Sequence, residues 1–478
     1  MTRRGSVIGP LILILIGLLF LLRNVWPDIA ITHLITQYWP YVLIAWGALR
    51  LIEILVWAAL SRPLPRNGVS GGEWVLVVFL CIFGSAFHTM RHYDGWFPDG
   101  RALRGFVVNM GDSYDFPISP ATKPSGKAPR VIIESFRGNA RITGADASAV
   151  TVSGRKTVRA FQQNDADRAN AETPLDLISQ ADDVIVRTNQ DRVQDASRVS
   201  DDLEIAVPRG ATIEAHGRYG DFEINDIGGS VEIDSDNAGV RVQNIGGNVR
   251  VDLRRSDLVR AAGVKGTVEL KGHGNDIELQ DIAGQVTVNG TYTGQVQLRN
   301  VSSPVRYEGS LLQMDLEKLP GQIHAGPGEF TGTKLIGPVR LSGNSADVQI
   351  SDVTQSLDVN VRRGNLDLRP ASGNVLPRVD AHTDSGDIDV ALPVNAKFDF
   401  RASTDHGEAQ NDFGSALKSS EDRDRASIEG AVGSGPQIRV STRRGNITAR
   451  KAGADNETIE HIPQPPHPPV APLKPEEQ

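Results

Sequence analysis

The chain has 478 residues, with 58 acidic side chains against 50 basic ones and a net charge of −8; the length suits about two to four domains. Residues 1–100 hold seven basic and five acidic side chains, which leaves 43 basic against 53 acidic in the remainder and excludes a nucleic-acid partner bound through a basic face. The one cysteine, Cys81, excludes an intrachain disulfide, a cysteine-based zinc site and a Cys-x-x-Cys redox pair.

All six tryptophans lie within the first 96 residues, and three apolar runs share that section. Val7–Leu22 is sixteen uncharged residues, about 24 Å of helix and just short of a hydrocarbon core of about 30 Å. Arg3 and Arg4 precede it, but no small-residue cleavage site follows, so the run is expected to remain as an anchor. Tyr41–Leu60 is twenty residues, enough to span at about 1.5 Å per residue. Its Arg50 and Glu53 stand at i, i+3 on one helix face, an intramembrane pair expected to satisfy itself or to face another helix. Trp74–Phe87 has only fourteen residues, or seventeen when extended to Met90, and fits either a span or an interfacial helix. The expected transmembrane region is thus 1–95, with helices at about 7–22, 41–60 and 74–90. Basic residues tie at four on each side. The short connection carrying Arg62 and Arg66 favours a cytoplasmic N-terminus with the rest of the chain outside.

Gly9-Pro10, the run Gly17 to Asn24, Trp39-Pro40-Tyr41 and Gly47 resemble the helical-hairpin membrane region of LiaI/LiaF-type bacterial envelope-stress proteins. That resemblance implies a membrane anchor with no chemistry assigned to it.

Residues 96–129 read as a linker. From about residue 200 a period near 18 sets in, anchored on one apolar residue per turn: Ile227, Ile245, Val264, Ile282, Val301, Leu319, Ile336 and Val353. Short period-two stretches flank most anchors, as at Phe222 and Ile224 before Ile227, and Val231 and Ile233 after it. Two short strands per 18–19-residue unit predict a parallel β-solenoid of about nine coils, with the anchors as a core ladder. Glu223, Glu232, Arg241, Arg250, Glu269, Glu278, Gln297 and Arg306 take the outward positions. Asp226, Asn244, Asp281, Asn300 and Asp352 directly precede anchors, where an Asx corner cap explains them more simply than calcium.

Arg130–Gly154 reads as the opening strands, 165–172 as a short polar helix, and 175–178, 183–187 and 203–207 as further strands; Ala409–Gly430 reads as a loop. The motif Gly220-Asp221-Phe222, Gly364-Asn365-Leu366 and Gly386-Asp387-Ile388, with the related segments at 206–215 and 391–400, resembles the putative-adhesin β-strand-repeat family of bacterial envelope proteins. The resemblance covers about 130–450 and implies an extracytoplasmic β-solenoid with an adhesive or scaffolding role and no catalytic residues to transfer. Residues 451–478, with seven prolines from 463 onward, form an extended tail.

No Gly-x-Ser-x-Gly, His-Glu-x-x-His or P-loop motif occurs. Asp234, Asp236, Asp252 and Asp257 are the densest acidic set, and the pair His88 and His92 lacks a third ligand. Together these features predict a membrane-anchored all-β protein of the bacterial inner membrane, without catalytic, metal or cofactor residues. Its β-domain is expected to be periplasmic or extracellular, for adhesion, envelope organisation or envelope-stress sensing. The lipid bilayer is the expected partner, with an envelope glycan, a protein or a second copy as further candidates. A bactofilin-like cytoplasmic scaffold is the alternative, and a β-helical polysaccharide-active enzyme stands third.

Overall fold

The computed structural model describes residues 111–452, apart from 311, 372, 374, 423 and 424, together with Ala48 and Val78. Apart from Ala48 and Val78, the three expected membrane helices, the pair Arg50 and Glu53, His88 and His92, and the proline-rich tail lie outside the described residues. Among the described residues no helix is long and apolar enough to cross a membrane. The fold is mostly β and divides into two units, Met1–Asp257 and Leu258–Gln478.

The first unit opens with β1 (Asp112–Pro124), β2 (Arg130–Arg137), β3 (Ala140–Ala145) and β4 (Ala149–Ala160), followed by α1 (Gln163–Glu172). It continues with β5 (Asp176–Gln180), β6 (Asp183–Arg187), β7 (Val199–Pro208), β8 (Thr212–Tyr219), β9 (Phe222–Asn225), β10 (Val231–Asn237) and β11 (Val240–Ile245). The strand β12 (Val249–Val264) carries the chain onward. Next come β13 (Val268–Ile282), β14 (Val286–Tyr292), β15 (Val296–Val301), β16 (Val305–Glu308), β17 (Leu312–Leu316), β18 (Leu319–Gly326) and β19 (Glu329–Ile336). Then follow β20 (Val339–Ser345), β21 (Asp347–Thr354), β22 (Ser356–Arg363), β23 (Leu366–Arg369), β24 (Arg378–Ser385) and β25 (Ile388–Leu392). The second unit closes with β26 (Phe398–His406), β27 (Ala409–Asn411), β28 (Lys418–Asp422), β29 (Arg425–Val432), β30 (Gln437–Arg444) and β31 (Ile447–Lys451).

Period-two sequence becomes period-two burial. In β10, Val231, Ile233 and Ser235 point inward while Glu232 and Asp234 are exposed. Alternation puts one face of the strand in the core and the other in water. In the first unit Ile213 pairs with Val231 and Val231 with Val249, each in parallel. In the second, Leu335 pairs with Val353, and Val348 with Leu366, again in parallel. These partners lie 18 residues apart, so like side chains stack on like.

The corners explain the Gly-Asx motif. Gly364 and Gly386 have φ of 141° and 153°, and a Cβ on either would stand 1.9 Å from a carbonyl oxygen of the preceding repeat. Only glycine tolerates both the dihedral and the approach. The Asx residue that follows caps the next repeat: the Asn365 amide donates to Asp347 (2.7 Å), the Asp387 amide to Asn365 (2.9 Å), and the Asn446 amide to Asp387 (2.7 Å).

Seven of the eight anchors are buried, while Ile336 is half-buried and the adjacent Leu335 is fully buried. Asp226, Asn244, Asp281, Asn300 and Asp352 have φ between 52° and 60°, and so does Lys334. Lys334 directly precedes Leu335, which makes Leu335 the ladder position and displaces the expected Ile336 by one residue. The expected Asx column missed this corner because its left-handed residue is a lysine. Asn244 donates to Asp226 (2.9 Å) and Asn300 to Asp281 (2.6 Å).

Three further expectations change. β15 pairs antiparallel with β18, β16 with β17, β17 with β20 and β18 with β19, so the repeat through Leu319 reverses direction instead of continuing a parallel ladder. Alternating burial is blind to strand direction, so the 18-residue period passed through the reversal unmarked. The expected linker contains β1, paired antiparallel with β4. Its prolines Pro117, Pro120 and Pro124 masked it, and they are compatible with an edge strand because its outer N–H groups need no partner. The expected loop at 409–430 contains β27, β28 and most of β29, with β29 antiparallel to β26 and β28 antiparallel to β29.

Strand order departs from chain order in each unit. β2 lies between β6 and β8, and β3 between β7 and β9. In the second unit β30 lies between β24 and β26, and β31 between β25 and β27. Beyond β7 the antiparallel β4 and β1 follow, with α1 packed through Ala166 and Ala169 against Val158, Val193 and Val199, and Tyr114 and Phe116 of β1 alongside. Beyond β26 come β29 and β28, with Phe398 and Phe413 edge to face at 5.4 Å.

Candidate interaction face

The outward side chains of the second unit form three rows across successive strands. The middle row starts at Gln313 of β17 and Ser342 of β20, passes through Asn360 of β22 and His382 of β24, and reaches Ser441 of β30. It ends at Ser403 of β26, Ser427 of β29 and Ser420 of β28. Every member is a hydroxyl, a carboxamide or an imidazole. The first flanking row is charged throughout: Arg340, Asp358 and Asp380, then Arg439, Arg401, Glu429 and Lys418. The other flanking row, from β22 to β28, alternates in sign through Arg362, Asp384, Arg443, Asp405, Arg425 and Asp422.

The alternating row pairs within itself. Arg443 meets Asp384 at 3.2 Å and Arg425 meets Asp405 at 3.5 Å. His382 bridges two rows, its Nδ1 lying 2.9 Å from Ser441 Oγ and its Nε2 3.4 Å from Asp384 Oδ1. This Ser-His-Asp sequence of contacts lies along an open sheet face, where the strand N–H groups are committed to their ladders and no oxyanion hole forms. It orders the row and provides no nucleophile site. Where the rows reach β26, β29 and β28, an open depression of about 540 Å³ is lined by Arg401, Lys418, Ser420, Ser427 and Glu429, among others.

The first unit presents a different surface. Asp234 and Asp252 are neighbours in one outward row with His216, all three exposed, and Asp236 pairs with Arg254 at 3.2 Å. The exposed Asp257 belongs to β12 as well. These carboxylates lie along a flat face and do not converge on one point. Of the other expected outward residues, Glu223 bonds Arg141 at 3.0 Å and Arg250 meets Glu232 at 3.7 Å. Glu214 sits between His216 and Arg130, whose hydrogen bonds hold its carboxyl below the usual range. Among the described residues no group of three or more His, Cys, Asp or Glu could hold a metal ion.

A buried polar cluster, absent from the sequence reading, lies under α1. Lys156 of β4 and Asp201 of β7 face each other across an antiparallel pair, both buried. Lys156 donates to the Thr173 carbonyl and, at 3.1 Å, to its hydroxyl. Gln190 donates to Asp201 at 2.8 Å, and the second Asp201 oxygen has no partner. Burial pushes the Asp201 carboxyl up to about 7, against the opposing charge of Lys156, and pushes the Lys156 amine down. Alternation placed both residues on an inward face, and that conflict between charge and position was the available signal.

The family model described as Toastrack DUF4097 matches residues 186–450, more than half of the chain, and the chain belongs to that family. The LiaF transmembrane domain model matches residues 8–96, so a membrane anchor precedes the β units. Nothing among the curated proteins matches the chain. Three solved structures are similar. A putative cell adhesion protein from Clostridium sporogenes is 8% identical, covering 70% of this chain and all of that one, with a TM-score of 0.18. A putative adhesin from Bacteroides fragilis is 11% identical over 70% of this chain and 97% of its own, with a TM-score of 0.20. A putative adhesin from Parabacteroides distasonis is 9% identical over 71% and 97%, with a TM-score of 0.18.

Proposed function

We propose that this chain is a non-enzymatic protein of the bacterial cell envelope, anchored in the cytoplasmic membrane by its first 96 residues. The anchor displays a β-solenoid outside the cytoplasm for adhesion or envelope organisation. The observation that carries this reading is the succession, in one chain, of a transmembrane domain match at 8–96 and a Toastrack match at 186–450. The long polar outer rows support it, because contact with an extended ligand needs surface and no converging acid and base. Envelope-stress sensing is a variant of the same reading in which Arg50 and Glu53 couple the outer contact to the membrane.

A self-assembling cytoplasmic scaffold would need exposed parallel ladders for stacking. The antiparallel strands β4 and β1 in one unit, and β29 and β28 in the other, weigh against that alternative. Topology is the test. Alkaline phosphatase fused after Gln478 is expected to be active, and a fluorescent protein that matures only in the cytoplasm is expected to stay dark. The reverse pattern would place the β units inside and remove the adhesive reading.

A further inference from the structure

The middle row of the second unit carries no carboxylate, amine or guanidinium, whereas both rows beside it are charged. The side chains of Ser342, Asn360, Ser403, Ser427 and Ser420 make no hydrogen bond to the described protein, whereas the alternating row is partly closed by ion pairs. Seven consecutive strands, β20 to β28 in spatial order, therefore hold a neutral strip of donors and acceptors, with one charged rail along all seven and the other from β22 onward. At about 4.8 Å per strand the strip is roughly 29 Å long. We propose that this strip is a binding track for a linear, uncharged polysaccharide lying across the strands; the inference rests on the adhesive reading above and names its ligand class.

The charge pattern selects this occupant. A polyanion or polycation would meet Arg362, Asp384, Arg443 and Asp405 in turn and gain from one what it loses at the next. A neutral polyhydroxylated chain has no such cancellation. It offers hydroxyls that both donate and accept, which is what serine, asparagine and histidine side chains present. The rows contain no tryptophan, tyrosine or phenylalanine for sugars to stack on. Affinity must then come from many weak hydrogen bonds, each worth about 1 kcal/mol net, so it depends on how many strands the ligand reaches.

The experiment titrates the full-length protein in nanodiscs with N-acetylated chitin oligomers of increasing length, with deacetylated chitosan oligomers and polygalacturonate as cationic and anionic contrasts. The neutral oligomers are expected to bind, at least tenfold more tightly than either charged polymer, with affinity rising with length until the track is filled. Ser403→Glu and Asn360→Glu, which put charge into the strip, are expected to weaken binding at least tenfold, while Arg250→Gln in the first unit leaves it unchanged. Thermal unfolding checks that each variant folds; Ser420→Glu, on the outermost strand, replaces any that does not. No binding of neutral oligomers, equal binding of the charged polymers, or indifference to charge in the strip would overturn the track. The fusions after Gln478 report separately. Active phosphatase without oligomer binding sinks only the track, and a cytoplasmic C-terminus sinks the display reading itself.

Discussion

Asp201 shows how a single side chain can set a pH dependence. Its carboxyl is fully buried with one oxygen unpartnered, and burial raises its pKa from 3.8 to about 7. A group whose folded pKa is raised contributes stability that is complete below its unfolded pKa and is lost as pH rises through the folded one. The window is therefore pH 4 to 7, with at most about 4 kcal/mol at stake at ~1.4 kcal/mol per pKa unit. The Asp201→Asn variant keeps the bond from Gln190 and removes the titration. The difference in unfolding free energy between variant and wild type, from urea melts at several pH values, is expected to move in the variant's favour from pH 4 to 7 and then level off. A difference that does not vary with pH would refute this account. Lys156, buried opposite, is the compensating charge that makes an ionised Asp201 tolerable at all.

At the scale of the element, β19 is where register and residue pattern part. Leu335 pairs with Val353 and is fully buried, while Ile336 at the strand end is half-buried. Leu335→Ala is expected to cost about 2–5 kcal/mol, as other buried leucine truncations do, and Ile336→Ala less than about 1.5 kcal/mol, as a partly exposed position should. Urea midpoints of the two variants check it, and equal losses would contradict the register. The same strands illustrate what alternation conceals. The apolar positions of β17 and β18 fill the core as well antiparallel as parallel, so Met314 and Leu316 gave no warning of the reversal. The exposed strand β28, Lys-Ser-Ser-Glu-Asp, has no apolar alternation at all, and it is a strand only because β29 offers it a ladder.

At the scale of the chain, the second unit is completed by its last strands. β30 and β31 arrive after β26 and β27 but sit between them and β24 and β25, so Ile438, Val440 and Ile447 fill core positions in the middle of a ladder. Truncation after Gly433 should therefore strip β24 and β26 of a shared neighbour and make the second unit open to protease, whereas truncation after residue 452 should leave its protease resistance intact. Limited proteolysis of the two truncated chains in membranes distinguishes them; equal resistance would mean that the terminal strands are dispensable. The first unit has the corresponding arrangement at the other end, where β2 and β3 enter between pairs of later strands.

Local chemistry made much of this protein legible in advance. Alternation assigned the inward faces of β9 to β14, the Asx residue before most anchors marked corners, and apolar length with the tryptophans gathered in the first 96 residues marked the anchor. Those signals are carried by neighbouring residues and survive without knowledge of the fold. Strand direction, the shift from Ile336 to Leu335, the entry of β2 and β30 between later strands, and the neutral strip from Ser342 to Ser420 depend on which distant segments meet. A period-two pattern states that a face is buried without stating against what. Partner and direction follow from long-range packing and hydrogen-bond closure, and neither is written into any one segment.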